Sequence, residues 1–301
     1  MRILVALGGN ALLERGEKPD AAIQREHVRV AARALAPLAD EHELILTHGN
    51  GPQVGVLALE SAADPALSRP YPLDVLGAQT QGMIGYWLAQ ELGNAGVKRP
   101  IVAVITQTVV DPADPAFAAP SKFIGPVYSG REAERLAADR GWAMARDGAS
   151  WRRVVASPQP ADVPEIASIR NLSASGTMVI CAGGGGVPVT RSEDGVLTGV
   201  EAVVDKDLCA AHLAIELKAD RLLLLTDVAA VMKDFGTPRA EPIRRLSLAQ
   251  SSELHLPAGS MGPKVEACGR FTAATGNPSA IGSLREAAAV IGGTAGTTVV
   301  P

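Results

Sequence analysis

The sequence has few of the residues that mark metal, membrane or nucleic-acid proteins. Its 301 residues include three cysteines without zinc-ligand spacing and five histidines in no metal pattern. The net charge of −4 argues against a general surface for nucleic acid. No apolar run reaches the ~18 residues of a membrane span, and the short apolar amino terminus lacks a signal-peptide cleavage site. We therefore expect a cytoplasmic protein that binds neither nucleic acid nor membrane and keeps its cysteines reduced.

Two familiar nucleotide-binding loops are also missing. No Gly-x-x-x-x-Gly-Lys-Ser/Thr sequence occurs, which excludes a Walker A loop. The run from Gly49 to Gly55 resembles a dinucleotide-binding loop, but its last glycine stands one residue too late to close a helix against a strand. A dehydrogenase is therefore a poor alternative.

Short apolar runs alternate with stretches that have helical spacing. The runs show little polar alternation, which is typical of strands buried on both faces. They occupy residues 3–7, 44–47, 101–105, 178–182, 222–225 and 298–300. Strands that alternate with helices predict an α/β fold with a mostly parallel central sheet, covered by helices on both faces.

Residues 111–164 interrupt this alternation with closely spaced prolines. Proline lacks the N–H that a central strand must donate, so such a density favours loops and edge strands. We expect this segment to leave the main sheet and form a small subdomain.

Three of the predicted strands run into glycines. Gly8 and Gly9 follow the first strand, Gly49 and Gly51 follow the second, and residues 183–186 follow the fourth. Ligands of open α/β sheets bind beyond the carboxyl ends of strands, where glycine lets backbone N–H groups approach a phosphate closely. A glycine in one such loop could simply form the turn, but three such loops favour an anion site.

Lysine is scarce, and three lysines stand in distinctive surroundings. Lys206 lies between two aspartates and Lys264 follows a Gly-Pro pair, each at a predicted helix start, while Lys122 lies within residues 111–164. Catalysis of phosphoryl transfer is mostly positioning and charge stabilisation, for which a lysine is a compact point charge. A lone lysine is usually a solvated surface residue, but this combination indicates phosphoryl transfer.

Other polar residues leave their roles open. Asp227 follows a buried apolar run and could cap a helix, contact magnesium or a ribose, or orient a lysine. None of the histidines has an obvious catalytic partner. His48 lies close to the predicted anion site and could hold its loop by a hydrogen bond.

Taken in order along the chain, these motifs resemble those of the carbamate kinases of the amino acid kinase superfamily. The matching segments are residues 6–12, 47–55, 81–86, 122–126, 152–155, 183–188, 201–208, 225–228 and 259–264, which cover nearly the whole chain. The resemblance implies an open three-layer αβα sandwich. Residues 1–170 would form an amino-terminal lobe for the phosphoryl acceptor, with a protruding subdomain at about 111–164. Residues 171–301 would form the nucleotide-binding lobe.

The resemblance also implies an activity. The family transfers a phosphoryl group reversibly between ATP and carbamate with Mg²⁺, giving ADP and carbamoyl phosphate. It typically works toward ATP in arginine or related nitrogen-compound catabolism, as a homodimer. Two alternatives are another small-acid kinase of the superfamily and a nucleotide-sensing protein without turnover.

Site residues follow from the same resemblance. The catalytic group would comprise Lys122, Lys206, Lys264 and Asp207, the last orienting the lysines. The acceptor side would comprise Gly8, Gly9, Asn10, Gly49, Asn50 and Gly51. The nucleotide side would comprise Asp205, Asp227, Phe235, Met261 and Gly262.

One substitution separates this chain from related kinases. Acylglutamate kinases and their relatives carry a lysine on the first strand at the position of Ala6, two residues before the Gly-Gly pair. In carbamate kinases a lysine from the subdomain is thought to replace it, and Lys122 matches that motif. The chain departs from the family at Phe123, where proline is common, and over residues 231–235 and 247–257.

Overall fold

A computed structural model describes residues 1–14, 16–254, 256 and 261–301, with Asn10 described by its backbone only. The strands are β1 (Arg2–Leu7), β2 (Glu43–His48), β3 (Ile101–Ala103), β4 (Gln107–Val110), β5 (Lys122–Tyr128), β6 (Met144–Asp147), β7 (Ser150–Val155), β8 (Pro160–Asp162), β9 (Met178–Ile180), β10 (Val187–Arg191), β11 (Leu197–Gly199), β12 (Arg221–Thr226), β13 (Met232–Lys233), β14 (Glu241–Pro242), β15 (Arg245–Ser247), β16 (Ser279–Ser283) and β17 (Thr297–Val300). The helices are α1 (Ala21–Glu41), α2 (Gly51–Ala63), α3 (Leu73–Asn94), α4 (Gly130–Arg140), α5 (Ile166–Ala174), α6 (Lys206–Glu216), α7 (Leu248–Glu253), α8 (Met261–Thr275) and α9 (Ala287–Ile291). Within the described ranges, no helix is long and apolar enough to cross a membrane.

The main sheet has the strand order β15-β17-β16-β12-β1-β2-β9-β3. Neighbouring strands pair in parallel except β16 with β17. The predicted mostly parallel sheet is therefore confirmed. Leu7 of β1 stands in register with His48 of β2 and Leu225 of β12, so the residues that follow these three strands emerge at one edge.

Alternate residues of the central strands pack into two different cores. Leu4 and Ala6 join the core under α6 and α8, whereas Ile3, Val5 and Leu7 join the core under α1 and α3. All five side chains are fully buried. Burial on both faces explains why these strands are continuous apolar runs rather than alternating ones.

Residues 111–164 contain a separate antiparallel sheet of order β5-β7-β6, with α4 in the connection between β5 and β6. Helix α4 begins with a capping box between Ser129 and Glu132 and ends at Gly141 in the left-handed conformation. Strand β4, just before this segment, pairs with β8, near the end of the segment. The division into lobes at about residue 170 stays a prediction.

Candidate active site

The glycine loops after β1 and β2 pack against each other at the carboxyl edge of the sheet. A Cβ atom on Gly49 would lie 2.8 Å from the Gly9 nitrogen and 3.4 Å from Lys206 Cε. A Cβ on Gly8 would lie 3.1 Å from Thr226 Oγ1, at the end of β12. Glycine at these positions lets the loops and the lysine approach closely. The structure thus brings together Gly8, Gly9, Gly49 and Lys206.

His48 holds the loop after β2 by a hydrogen bond. Its buried Nδ1 N–H donates to the Gly49 carbonyl oxygen at 3.0 Å, as a loop-holding role requires. Burial lowers the pKa of His48 to about 4, and the positive charge of Lys206 acts in the same direction. The ring also lies where a Cβ on Gly183 would come within 2.2 Å of Nε2. His48 is therefore a neutral structural residue of the site.

Asn50 and Gly51 begin α2 in different environments. The Asn50 side chain is buried, and its Nδ2 donates to Thr80 Oγ1 of α3 at 2.9 Å. A Cβ on Gly184 would lie 2.1 Å from the same Nδ2. At Gly51 an added Cβ would meet no described atom within 4 Å, so there is open space before the helix. The predicted acceptor roles of both residues, and of Asn10, whose side chain lies outside the described part, stay predictions.

Two lysines from two helices share one carboxylate. Lys206 Nζ lies 2.6 Å from Asp207 Oδ1, and Lys264 Nζ lies 3.1 Å from Asp207 Oδ2. Lys206 opens α6, and Lys264 lies near the start of α8. Burial by itself would raise the pKa of Asp207, but the two lysines outweigh it and hold that pKa well below its usual value. Asp207 therefore stays ionised between two cations that are largely removed from water.

The lysines respond differently to this environment. Burial lowers the pKa of Lys206 despite the neighbouring Asp207. For Lys264 burial would lower the pKa, but Asp207, Asp205 and Asp227 together outweigh it and raise that pKa. Asp227 is thus close enough to Lys264 to act on its charge.

Lys122 reaches the same helix start from β5. Asp205 is the N-cap of α6: its Oδ1 accepts the N–H groups of Asp207 at 2.8 Å and Leu208 at 3.2 Å. Its Oδ2 pairs with Lys122 Nζ. Burial would raise the pKa of Asp205, but Lys122 and Lys206 together outweigh it and lower that pKa. One carboxylate thus caps the helix and holds a lysine from a distant segment.

The predicted nucleotide residues lie in varied surroundings. Thr226 Oγ1 donates to Asp227 Oδ1 at 2.8 Å, and residues 227–230 form bends, so the interpretation of Asp227 as a helix N-cap is wrong. Phe235 is 78% exposed on the connection between β13 and β14. Met261 and Gly262 are the first residues of α8, and Met261 packs against the core under α6 and α8. Gly259 and Ser260 of the same motif lie outside the described residues.

Comparison with known proteins identifies the family of this chain. A profile of the amino acid kinase family matches residues 1–283. The chain belongs to the amino acid kinase family.

Relatives that match over nearly the whole chain, and several solved structures, are carbamate kinases. The chain is 49% identical over 302 residues to the carbamate kinase of Rhizobium meliloti (strain 1021), and the match covers 99% of this chain and 93% of that protein. It is 50% identical over 300 residues to that of Haemophilus influenzae, covering 99% and 96%. Solved structures of carbamate kinase from Giardia lamblia match at 39% identity over 99% of this chain and 98% of theirs. Their TM-scores are 0.93 with citric acid bound and 0.89 with AMP-PNP bound. The resemblance inferred from the motifs and the expected α/β fold are therefore confirmed.

One residue that builds the site of this kinase carries no signal in the sequence. Thr80 fixes Asn50 from α3, 30 positions further along the chain. Gly184, from the third predicted glycine loop, provides the space that the Asn50 side chain occupies. Among the described residues, no three His, Cys, Asp or Glu side chains form a group that could hold a metal ion.

Proposed function

We propose that this chain is a carbamate kinase that transfers a phosphoryl group reversibly between ATP and carbamate. The observation that carries the proposal is the convergence of Lys122, Lys206 and Lys264 on Asp205 and Asp207, beside the glycine loops after β1 and β2. Identity of about half to carbamate kinases over nearly the whole chain supports the choice of acceptor.

The residues suit a reaction in which charge moves between oxygens. Toward ATP, a terminal oxygen of ADP attacks the phosphorus of carbamoyl phosphate, and the bond from phosphorus to the carbamoyl oxygen breaks to release carbamate. Negative charge then spreads over the phosphoryl oxygens, where fixed cations stabilise it. Lys206 and Lys264 would supply these charges, and Asp207 would fix both ammonium groups through its two oxygens.

Lys122 would provide the cation on the acceptor side. Ala6, which stands where related kinases carry a lysine, is fully buried in the core of the sheet. A carboxylate-like acceptor and a phosphoryl oxygen repel each other unless a cation lies between them. Lys122 would fill this role, since its Nζ already reaches the start of α6.

Magnesium would enter as the MgADP or MgATP complex, that is, as part of the substrate. The carboxylates at the centre of the site are engaged by lysines, Asp205 by Lys122 and Asp207 by Lys206 and Lys264. Mg²⁺ in such enzymes is bound largely through phosphate oxygens and water, with one or two carboxylates. These residues therefore fit a metal held mainly by the nucleotide.

Coupled ATP synthesis tests the proposal directly. Purified protein with magnesium, ADP and carbamoyl phosphate should form ATP, with acetyl phosphate and acyl phosphates of amino acids as comparison donors. Much faster turnover of one of these would identify another small-acid kinase. Tight ADP binding without turnover of any donor would identify a nucleotide sensor.

The acceptor loop has its own test. Because an added Cβ at Gly51 would meet no described atom within 4 Å, Gly51→Val should fold normally, yet fill the space in which the phosphoryl group would approach the backbone. We expect loss of ATP synthesis with ADP binding kept. An unfolded circular dichroism spectrum would instead assign Gly51 to the turn itself.

Further features of the family rest on resemblance and remain part of the proposal. They are a homodimer, a cytoplasmic location and a role in arginine or related nitrogen-compound catabolism. The three cysteines are buried free thiols, which suits a reducing compartment. Light scattering of the purified protein would test the homodimer.

A further inference from the structure

Helix α2 and strand β5 approach each other backbone to backbone at Gly55 and Gly125. A Cβ on Gly55 would lie 1.9 Å from Gly125 Cα and 2.3 Å from its nitrogen, so no side chain fits there. Gly125 also has a φ of +70°, in the left-handed region that favours glycine. The contact therefore depends on glycine at both positions.

Gly55 has no local reason to be glycine. It lies in the interior of α2, where glycine is less favourable than alanine because it loses more backbone entropy. On the opposite side, Arg152 of β7 donates its Nε N–H to the Gly125 carbonyl oxygen at 3.1 Å. Gly125 is thus held between α2 and β7.

This contact lies close to Lys122 along β5. Lys122 precedes Gly125 by three residues, or ~10 Å of strand. Between them Ile124 packs with Val54 of α2 and Val155 of β7 in a small buried cluster. A shift of β5 away from α2 would therefore move Lys122 as well.

Next to Lys122, the small sheet is joined to the segment that leads into α6. Ala156, just after β7, forms an isolated bridge with Ala202. The Val203 N–H donates to the Ala156 carbonyl oxygen at 2.9 Å. Two residues later Asp205 pairs with Lys122. The position of Lys122 is therefore set by α2 on one side and by this segment on the other.

We propose that Gly55 and Gly125 are positioning residues for Lys122. Their contact sets the separation between α2 and the small sheet, so that the Lys122 ammonium group reaches the phosphoryl group at the start of α6. This inference rests on the proposed function, in which Lys122 acts on the acceptor side. Gly55 would then serve the contact with β5, and not a dinucleotide-binding loop.

Gly55→Ala tests this proposal. Alanine suits the helix, but its Cβ would occupy the place of Gly125, and an ordinary carbon contact of ~3.5–4.0 Å requires β5 to retreat by about 2 Å. Because a misplacement of ~1 Å can cost ~10²-fold in rate, we expect kcat for ATP synthesis to fall by ~10- to 100-fold. The Kd of ADP should stay unchanged. Gly93→Ala is the matched control, since Gly93 is an exposed helical glycine whose added Cβ would meet no described atom.

A double variant separates positioning from general damage. If Gly55 acts through Lys122, Gly55→Ala combined with Lys122→Ala should be no slower than Lys122→Ala alone. Losses that multiply would overturn the proposal, because they would show that Gly55 acts on the site independently of Lys122.

The single variants distinguish this inference from the proposed function. Absence of ATP synthesis by the unmodified protein, or an unchanged rate in Lys122→Ala, would defeat the proposed role of Lys122 and this inference with it. A slow Lys122→Ala beside a fully active Gly55→Ala would overturn this inference only. If Gly55→Ala does not fold, Gly125→Ala replaces it, since its Cβ would lie 3.3 Å from Gly55 Cα. Failure of both to fold would also overturn the proposal, because the contact would then hold the fold rather than position Lys122.

Discussion

The lysines of the candidate site come from two kinds of structure. Lys206 begins α6 and Lys264 lies near the start of α8, and their side chains are 11% and 14% exposed. Lys122 comes from the small antiparallel sheet, and its side chain is 33% exposed. The first two share Asp207, whereas Lys122 meets Asp205 two residues earlier.

Because of this difference, we expect the carboxylates beside the lysines to matter differently for the stability of the fold. The two buried lysines depend on Asp207 for charge balance, because an uncompensated charge away from water is costly. Lys122 keeps contact with water, and Asp205 retains two backbone N–H donors without it. We therefore expect replacement of Asp207 to affect both folding and chemistry, and replacement of Lys122 to affect chemistry almost alone.

The largest effect is expected for Asp207→Asn. This change leaves Lys206 and Lys264 buried beside a neutral amide, and removing one partner from a buried ion pair typically costs about 3–5 kcal/mol. Urea unfolding should show a loss of this size, together with loss of ATP synthesis. Asp139→Asn on the exposed side of α4 should change neither quantity. Unaltered stability in Asp207→Asn would show that the two lysines do not depend on this carboxylate.

Lys206→Ala and Lys264→Ala should lose activity without losing the fold. Each variant leaves Asp207 one lysine partner, so its charge remains balanced. Removing one fixed charge from such a site typically lowers kcat ~10²–10³-fold, and steady-state ATP synthesis would measure it. Lys98→Ala, at an exposed position outside the site, is the control. A near-normal kcat in either variant would reduce that lysine to a structural ion pair.

Acid should destabilise the protein through His48. Its pKa is 6.5 in the unfolded chain and about 4 in the folded protein, so the unfolded chain binds the proton more readily between these values. Stability from the neutral ring is present above pH 6.5 and is lost as the pH falls toward 4, by about 3 kcal/mol. Urea unfolding from pH 7 to pH 4 should show this loss relative to His48→Asn, which keeps a side-chain N–H donor. Parallel curves for the two proteins would contradict the neutral, buried ring.

The smallest change in stability is expected for Lys122→Ala. Exposed and half-exposed ion pairs contribute about 1 kcal/mol or less, so the free energy of unfolding should hardly change. Turnover of carbamoyl phosphate should nevertheless fall, with ADP affinity nearly unaltered. Hydrogen exchange over residues 111–164 should slow when both substrates bind, if this segment closes over them. An unaffected rate in Lys122→Ala would show that Lys122 does not replace the lysine that related kinases carry at the position of Ala6.

Some local environments could be anticipated and others could not. The hydrogen bond from His48 to its own loop follows from its place beside the glycines, and the structure confirms it. The cap role of Asp227 was a reasonable inference for an aspartate after a strand, yet bends rather than a helix follow it. Whether a helix follows a strand end depends on how the next segment packs, and a single side chain does not decide it.

The sequence by itself determined the fold class, and it marked the glycine loops and the few lysines that the structure brings close together. It could do so because burial on both faces of a strand and turns at strand ends leave local patterns. Only the tertiary structure decided that Lys122 meets Asp205, since the two residues lie 83 positions apart in the chain. It alone also revealed the contact of Gly55 with Gly125, because a close approach of two backbones has no local signature. Contacts between distant segments arise from the packing of whole elements, and that packing sets the geometry of the site.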